Sequence, residues 1–90
     1  MEFRHDEQQH RWIGSVDGQV VTSLDYADNG STIAMTRTFT NPTFRGHGYA
    51  AEIVAHAVDV AEAAGRTVRP SCWYVADWFE AHPERRHLLA

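Results

Sequence analysis

The sequence has no lysine and only one cysteine, and each scarcity excludes a class of protein. All eight basic residues are arginines and the formal net charge is −4, so we do not expect a basic face that binds nucleic acid. The single cysteine, Cys72, cannot form an intramolecular disulfide. No apolar run is long enough to cross a membrane, and the N-terminal MEFRHDEQQH lacks the order of a signal peptide. We therefore expect a cytoplasmic protein with neither nucleic acid nor membrane among its partners.

The apolar and aromatic content is sufficient for one small core. Of the 90 residues 43% are hydrophobic, including three Trp, three Tyr and four Phe, which is too many for a disordered chain. At this length we expect residues 1–90 to form a single domain, as a monomer or a homodimer. Arg85 and Arg86, near the C-terminus, are expected to be solvated surface.

Three β-rich segments precede residue 41. Two strong hairpin-turn signals, Asp17-Gly18 and Asp28-Asn29-Gly30, separate them, and the segments read HRWIGSV, QVVTSLDYA and STIAMTRTFT. This order predicts an antiparallel three-stranded meander. In the third strand Ile33, Met35 and Phe39 alternate with small or hydroxylated residues, which predicts one apolar face.

A helix, a short strand and a second helix are predicted for the rest of the chain. Apolar residues recur at the spacing of an amphipathic helix, at Ala50, Ile53, Val54, Ala57, Val58 and Ala61. Gly65 is placed to end this helix in a left-handed conformation. RTVRP then reads as a strand, and CWYVADWFEAH as a helix that Ser71 caps and Pro83 ends. The predicted order is βββαβα, an α+β fold in which the meander is followed by helix, strand and helix.

The segment NPTFRGHGYAAEIV places Gly46 and Gly48 where the first helix begins. Backbone N–H groups at a helix start are unpaired and lie at the positive end of the helix dipole, a combination that binds phosphate. Glycine lets a diphosphate approach the backbone, and Arg45 adds a charge-assisted contact. A plain turn that requires positive φ angles explains the same glycines. The segment also fits the GxGxxA pattern of dinucleotide-binding proteins, but Arg66 to Pro70 lacks the acidic residue expected there.

Arg45, Gly48 and Ala50 in FRGHGYA, between a strand and a helix, resemble the coenzyme A loop of the GNAT N-acetyltransferase superfamily. From Asn41 onward the chain is similar to a subgroup of very short members with a Pro-x-Cys after the strand and a His-Pro-Glu near the end. The resemblance implies a short GNAT-like fold with acetyl-CoA as the acetyl donor and no metal. The loop would hold the diphosphate and the preceding strand the pantetheine arm, with the thioester in a splay beside the next strand. The cofactor-binding residues implied in this way are Thr38, Phe39, Thr40, Arg45, Gly46, His47, Gly48, Tyr49 and Ala50.

The sequence departs from this superfamily at the residue expected to protonate the leaving thiolate. Members often place a Tyr on the helix after the following strand, whereas WFEAHPE puts Phe79 at that position. Cys72 is the first substitute, because the start of a helix favours a thiolate, and a buried Cys that acts as a small hydrophobe is its alternative. Tyr74 is the second catalytic candidate, with core packing as its alternative. The six histidines form no spacing typical of a metal site.

Two functions follow from this resemblance. The first is an acetyl-CoA-dependent N-acetyltransferase that acts on an unidentified amine carried by a protein, a peptide or a small molecule. The alternative is a non-catalytic acyl-CoA-binding or protein-interaction module that kept the loop after losing the acid at Phe79.

Overall fold

Five strands form one sheet in the order in which they occur in the chain. A computed structural model describes residues 1–90, and the strands are β1 Glu2–Asp6, β2 Arg11–Val16, β3 Gln19–Asp28, β4 Thr32–Thr40 and β5 Thr67–Pro70. Strands β1 to β4 pair with one another in antiparallel fashion, and β5 pairs with β4 in parallel. The parallel pair requires a crossover, which the first helix supplies.

Two α-helices follow the meander, at Tyr49–Ala63 (α1) and Trp73–Ala81 (α2). A short 3-10 turn that begins with proline, Pro42–Phe44, precedes α1, and a second one, Pro83–Leu88, follows α2. Proline is well suited to a first helical position because its missing N–H would have no partner there. Gly65, just after α1, has φ +71°, as expected for a left-handed helix end. The predicted α+β fold with the order βββαβα is confirmed, with one strand added at its start.

The added strand, β1, has no signal in the sequence pattern. Its residues EFRHD include a single apolar side chain, Phe3, so the alternation that marks a half-buried strand is absent. The strand lies at the edge of the sheet and pairs with β2 from Glu2 opposite Ser15 to Asp6 opposite Arg11. Phe3 stacks on His56 of α1, with ring centroids 4.0 Å apart. Tertiary contact with a helix that lies far along the chain therefore stabilises a segment that has no amphipathic pattern of its own.

The prediction of a single apolar face along β4 is wrong, because the strand contains a bulge. Tyr26 pairs with Met35, but Asp25 pairs with Arg37, so the two strands shift register by one residue at this point. An extra residue in one strand reverses the alternation beyond it. Met35 is fully buried, whereas Phe39 is 45% exposed. The bulge therefore separates the side chain of Phe39 from the core and leaves it on the other side of the sheet.

The core lies between α1 and the sheet and continues to α2. The buried residues of α1 are Ile53, Val54, Ala57, Val58 and Ala61. They belong to one cluster with Leu24, Met35 and Val68 of the sheet and with Val75, Trp78 and Phe79 of α2. Neither helix combines the length and apolar character that a membrane crossing requires.

The prediction that both C-terminal arginines are solvated is wrong for Arg85. Its guanidinium lies 2.9 Å from carboxylate oxygens of both Asp59 and Glu62 on α1, and its side chain is 20% exposed. Arg86 is exposed. The two arginines differ because only Arg85 faces α1 across the 3-10 turn, a relationship that the local sequence does not encode.

Candidate functional site

Strands β4 and β5 separate halfway along β4. They pair only from Thr32 opposite Thr67 to Met35 opposite Pro70. Beyond that point the backbone N–H of Cys72 donates to the carbonyl oxygen of Met35 at 2.9 Å, and the chain turns into α2. Residues 36–40 of β4 consequently have no strand beside them on the β5 side. Unpaired edge backbone of this kind can pair with an extended ligand.

A groove of about 440 Å³ follows this open edge and ends at the start of α1. Nine of the eleven site residues that the sequence predicts line it together. They are Thr38, Phe39 and Thr40 of β4, Arg45, Gly46 and Gly48 of the loop, Tyr49 and Ala50 of α1, and Tyr74 of α2. Segments separated by more than 30 residues in the chain thus meet at one surface because the crossover returns the chain beside β4.

The loop before α1 presents a run of unpaired backbone donors. None of the N–H groups of residues 46–51 makes a hydrogen bond within the protein, and the first bond of the helix runs from Glu52 N–H to the carbonyl of Gly48 at 3.1 Å. No side chain caps the helix. Unpaired donors at a helix N-terminus combine with the positive end of the helix dipole. The loop can therefore bind an anion through its backbone alone.

Both loop glycines are required by their backbone conformation. Gly46 has φ +86° and Gly48 has φ +77°, values that residues with a Cβ atom rarely adopt. A Cβ atom built on either glycine would meet nothing within 4 Å, so the space beside them is open. The turn geometry thus accounts for the glycines, and the same geometry leaves room for a ligand next to the unpaired donors. An anionic diphosphate fits this donor set.

The remaining loop side chains are exposed. Arg45 lines the groove and is the one basic residue of the loop that does so. His47 does not line the groove. Its ring stacks instead on that of Tyr49, with centroids 5.3 Å apart and planes 18° from parallel. His47 is thus in contact with a groove residue without lining the groove itself.

Two aromatic residues of the groove were missed by the sequence reasoning. Phe44 lies in the 3-10 turn before the loop, and Trp73 is the first residue of α2. Trp73 is 74% exposed although it lines the groove. Its ring meets that of Tyr74 edge to face, with centroids 5.7 Å apart. The only signal in the sequence is the aromatic pair that directly follows Cys72.

Tyr74 is the candidate catalytic side chain that reaches the groove. It is half-buried, and its hydroxyl makes no hydrogen bond to another protein group. Burial raises the pKa of Tyr74 above its ordinary value, because the ionised form is less well solvated than the neutral one. The phenol is therefore protonated at neutral pH and able to donate.

Cys72, the other catalytic candidate, lies behind the groove wall. It is 9% exposed, belongs to the core cluster and does not line the groove. Its sulfur lies 3.8 Å from the hydroxyl oxygen of Thr38, which does line the groove. Burial raises the pKa of the Cys72 thiol. The nearby backbone amides of Val75 and Tyr74, together with the contacts with Thr38, lower the pKa by more, so that it lies below its ordinary value. Neither amide reaches full hydrogen-bond geometry with the sulfur.

Phe79 is part of the core. It is 4% exposed and packs edge to face against Trp78, with centroids 5.1 Å apart. No group of three or more His, Cys, Asp or Glu side chains is placed to hold a metal ion.

A family model described as GCN5-related N-acetyl-transferase matches residues 11–88. None of the curated proteins matches the chain. The matched range contains β2 to β5, both helices and every residue of the groove.

Solved structures with the same fold include three acetyltransferase-like proteins. A GCN5-like candidate N-acetyltransferase from Staphylococcus aureus superposes with a TM-score of 0.75 at 13% identity, over 99% of this chain and 87% of its own. An aminoglycoside N-acetyltransferase in complex with CoA has a TM-score of 0.57 at 18% identity, over 79% of this chain and 63% of its own. A predicted acetyltransferase from Clostridium acetobutylicum with acetyl-CoA has a TM-score of 0.53 at 18% identity, over 80% of this chain and 55% of its own. At these identities the likeness concerns the fold, and the chain spans less than two thirds of the last two proteins.

Proposed function

Because the chain belongs to the GCN5-related N-acetyltransferase family, we propose that it transfers an acetyl group from acetyl-CoA to an amine. Acetyl-CoA supplies the acetyl group as an activated thioester. Of the solved structures with the same fold, one is of a complex with CoA and another is of a protein with acetyl-CoA. The coenzyme would occupy the groove between β4, the loop and the first residues of α2.

The observation that carries this proposal is the run of unpaired N–H groups at residues 46–51 beside the open strand edge. Six donors in sequence at a helix N-terminus match the oxygens of a diphosphate, and Arg45 adds a charge-assisted contact. Residues 38–40 carry an unpaired backbone edge that suits the amide groups of a pantetheine arm. One groove thus offers partners to both parts of coenzyme A.

We assign the proton donor for the departing thiolate to Tyr74. Three properties support this assignment: the side chain lines the groove, its hydroxyl has no partner in the protein, and its pKa is raised by burial. A general acid must be protonated and within reach of the group that it protonates. Cys72 would act through Thr38, which separates its sulfur from the groove.

The acceptor is an amine of a protein, a peptide or a small molecule, and it must lose its proton before it attacks the thioester. The exposed face of Trp73 and the exposed ring of Phe39 flank the groove. Apolar surfaces of this kind bind the hydrocarbon part of an acceptor while its amine stays free to react.

The first test is calorimetric titration of acetyl-CoA and of CoA into the wild-type protein and two matched variants. Gly48→Glu places a negative side chain at the N-terminus of α1, within the proposed diphosphate site. Gly65→Glu makes the same change at the other end of the same helix, where φ is also positive at +71°. The two variants should lose similar stability from backbone strain, so the control separates a local effect on binding from general destabilisation.

Saturable binding by the wild type and by Gly65→Glu, with loss of binding by a folded Gly48→Glu, is the expected result. A folded wild-type protein that binds neither acetyl-CoA nor CoA would reject the proposed cofactor site. If both variants lost coenzyme binding equally, strain in α1 rather than a change at the loop would explain the weaker binding.

A non-catalytic acyl-CoA-binding module is the second candidate. It is favoured by the burial of Phe79 at the position where the superfamily often has a tyrosine, since Phe79 has no proton to donate. Turnover distinguishes the two functions. This candidate requires that the protein binds acetyl-CoA but neither hydrolyses it nor acetylates any member of a panel of amines and peptides, and that Tyr74→Phe and Cys72→Ser change nothing.

A further inference from the structure

A second cavity, of about 400 Å³, lies between the C-terminal half of α1 and the strands β1 to β4. It shares no lining residue with the groove described above. Its floor is apolar and includes Leu24 and Met35 of the sheet together with Ala57 and Ala61 of α1. The volume lies within the range of small-molecule binding sites, roughly 300 to 1,000 Å³. The cavity is therefore large enough for a small ligand.

The cavity exists because α1 presents small side chains to the sheet at this point. Ala57 and Ala61 lie four residues apart on one face of the helix, and Ala64 follows directly after its last residue. Both Ala57 and Ala61 are buried, at 3% and 5% exposure. Larger aliphatic residues at these positions would fill the space between the two layers, as they do elsewhere in closely packed cores.

Aromatic and imidazole rings form one side of the mouth. The Nε2 atom of His5 lies 2.6 Å from the hydroxyl of Tyr26, and the His5 ring stacks on Trp12 with centroids 4.0 Å apart. His10 stacks on Tyr26 at a centroid distance of 5.2 Å. These contacts hold the rings in place around the opening. The mouth is thus an ordered polar rim over an apolar floor.

The charged groups at the mouth leave an excess of negative charge. Arg66 forms an ion pair with Asp28. Glu7 has no arginine partner, and the Nδ1 atom of His5 lies 3.8 Å from its carboxylate. Burial raises the pKa of Tyr26, and the charges of Asp28 and Glu7 raise it further, against a smaller opposing effect of Arg66. The two carboxylates of the lining, Glu7 and Asp28, outnumber its one arginine, Arg66, which favours a cation at the mouth.

We propose that this cavity is a second ligand site, and that it binds a small apolar amine with its hydrocarbon body between α1 and the sheet and its ammonium group at the rim beside Glu7. The apolar floor accounts for the body, and the exposed carboxylate of Glu7, which has no arginine partner, accounts for the charge. The site lies outside the groove, so it does not depend on the proposed acetyl transfer.

The test compares two probes that share a body and differ in charge, phenethylamine and phenylpropionate, by NMR titration of the full chain. Saturable shifts with the amine, centred on the indole N–H of Trp12 and the amide of Ala61, are expected, with at least about tenfold weaker binding of the acid, a difference of about 1.4 kcal/mol. Equal binding of both probes, or no saturable shift with the amine, would overturn the proposal.

Substitutions on one helix locate the site. Ala61→Leu fills the floor and should abolish amine binding, whereas Ala63→Leu adds the same side chain at an exposed position of α1 and should leave it unchanged. Circular dichroism and thermal melting check the fold of each variant. Glu7→Gln, at an exposed residue, should weaken binding of the amine. The difference in affinity between the amine and the acid should also become smaller. Amine binding that survives in a folded Ala61→Leu, or that ignores Glu7→Gln, would contradict the proposal.

Discussion

The hydroxyl oxygen of Thr38 lies 3.8 Å from the sulfur of Cys72. Thr38 belongs to β4 and lines the groove, whereas Cys72 precedes α2 and is 9% exposed. The thiol is thus separated from the groove by one side chain. This relationship places Cys72 where it can influence the groove through Thr38 without lining it.

The lowered pKa of the Cys72 thiol can be measured directly. Ultraviolet absorbance of the thiolate should titrate below the pH at which an ordinary cysteine titrates, because the nearby amides and Thr38 favour the charged form. Thr38→Val removes the hydroxyl and should raise the midpoint, and Cys72→Ser should remove the signal. A midpoint at or above that of a free cysteine would contradict this expectation.

The same shift makes stability depend on pH. A thiol whose pKa is lower in the folded than in the unfolded state stabilises the fold at pH values above its unfolded pKa. That contribution is lost as the pH falls through the lowered, folded-state value. Comparing the free energy of unfolding of wild type and Cys72→Ala across this range tests the sign, since the alanine variant should lack this pH-dependent gain. A gain that increases toward low pH would have the wrong sign.

Tyr74→Phe should reduce kcat by about a hundredfold or more while leaving KM for acetyl-CoA nearly unchanged, if the phenol donates a proton in the transition state. The measurement is release of the CoA thiol with a panel of amines. Cys72→Ser should have a smaller effect, because the sulfur does not line the groove. The opposite order of the two variants would transfer the role of proton donor to Cys72.

Trp73 should report coenzyme binding by fluorescence. It is 74% exposed and lines the groove, whereas Trp78 is 6% exposed and Trp12 belongs to the second cavity. Titration with CoA should change the emission of the wild type and of Trp12→Phe but not that of Trp73→Phe. If CoA changed the emission of Trp73→Phe as much as that of the wild type, the coenzyme would lie away from the start of α2.

Arg85→Ala should lower the free energy of unfolding by about 1 kcal/mol, since two partly exposed ion pairs contribute about 0.5 kcal/mol each. For a domain of this size that corresponds to a Tm lower by about 4–8 °C. Arg86→Ala, at an exposed neighbour, should change stability by less than about 0.5 kcal/mol. Thermal melts at two salt concentrations test both values, and equal effects of the two variants would contradict the pairing of Arg85 with α1.

Most of the fold could be predicted because the deciding signals are local. The turns at Asp17-Gly18 and Asp28-Gly30, the apolar spacing in α1 and the left-handed Gly65 are properties of short segments. β1 could not be predicted in this way, since Phe3 is its only apolar residue and packs against His56 of α1, far along the chain. The bulge in β4 was equally hidden, because register depends on the partner strand.

The candidate site likewise has one part that local sequence predicts and another that depends on tertiary packing. The amino-acid sequence by itself determined the glycine loop, the helix start and hence the unpaired donors, because positive φ angles and helix N-termini are local properties. Only the tertiary structure decided that Trp73 and Tyr74 join this loop while Cys72 stays behind Thr38. That outcome depends on where β5 leaves β4 and on the direction in which α2 starts, and both follow from packing between segments that are distant in the chain.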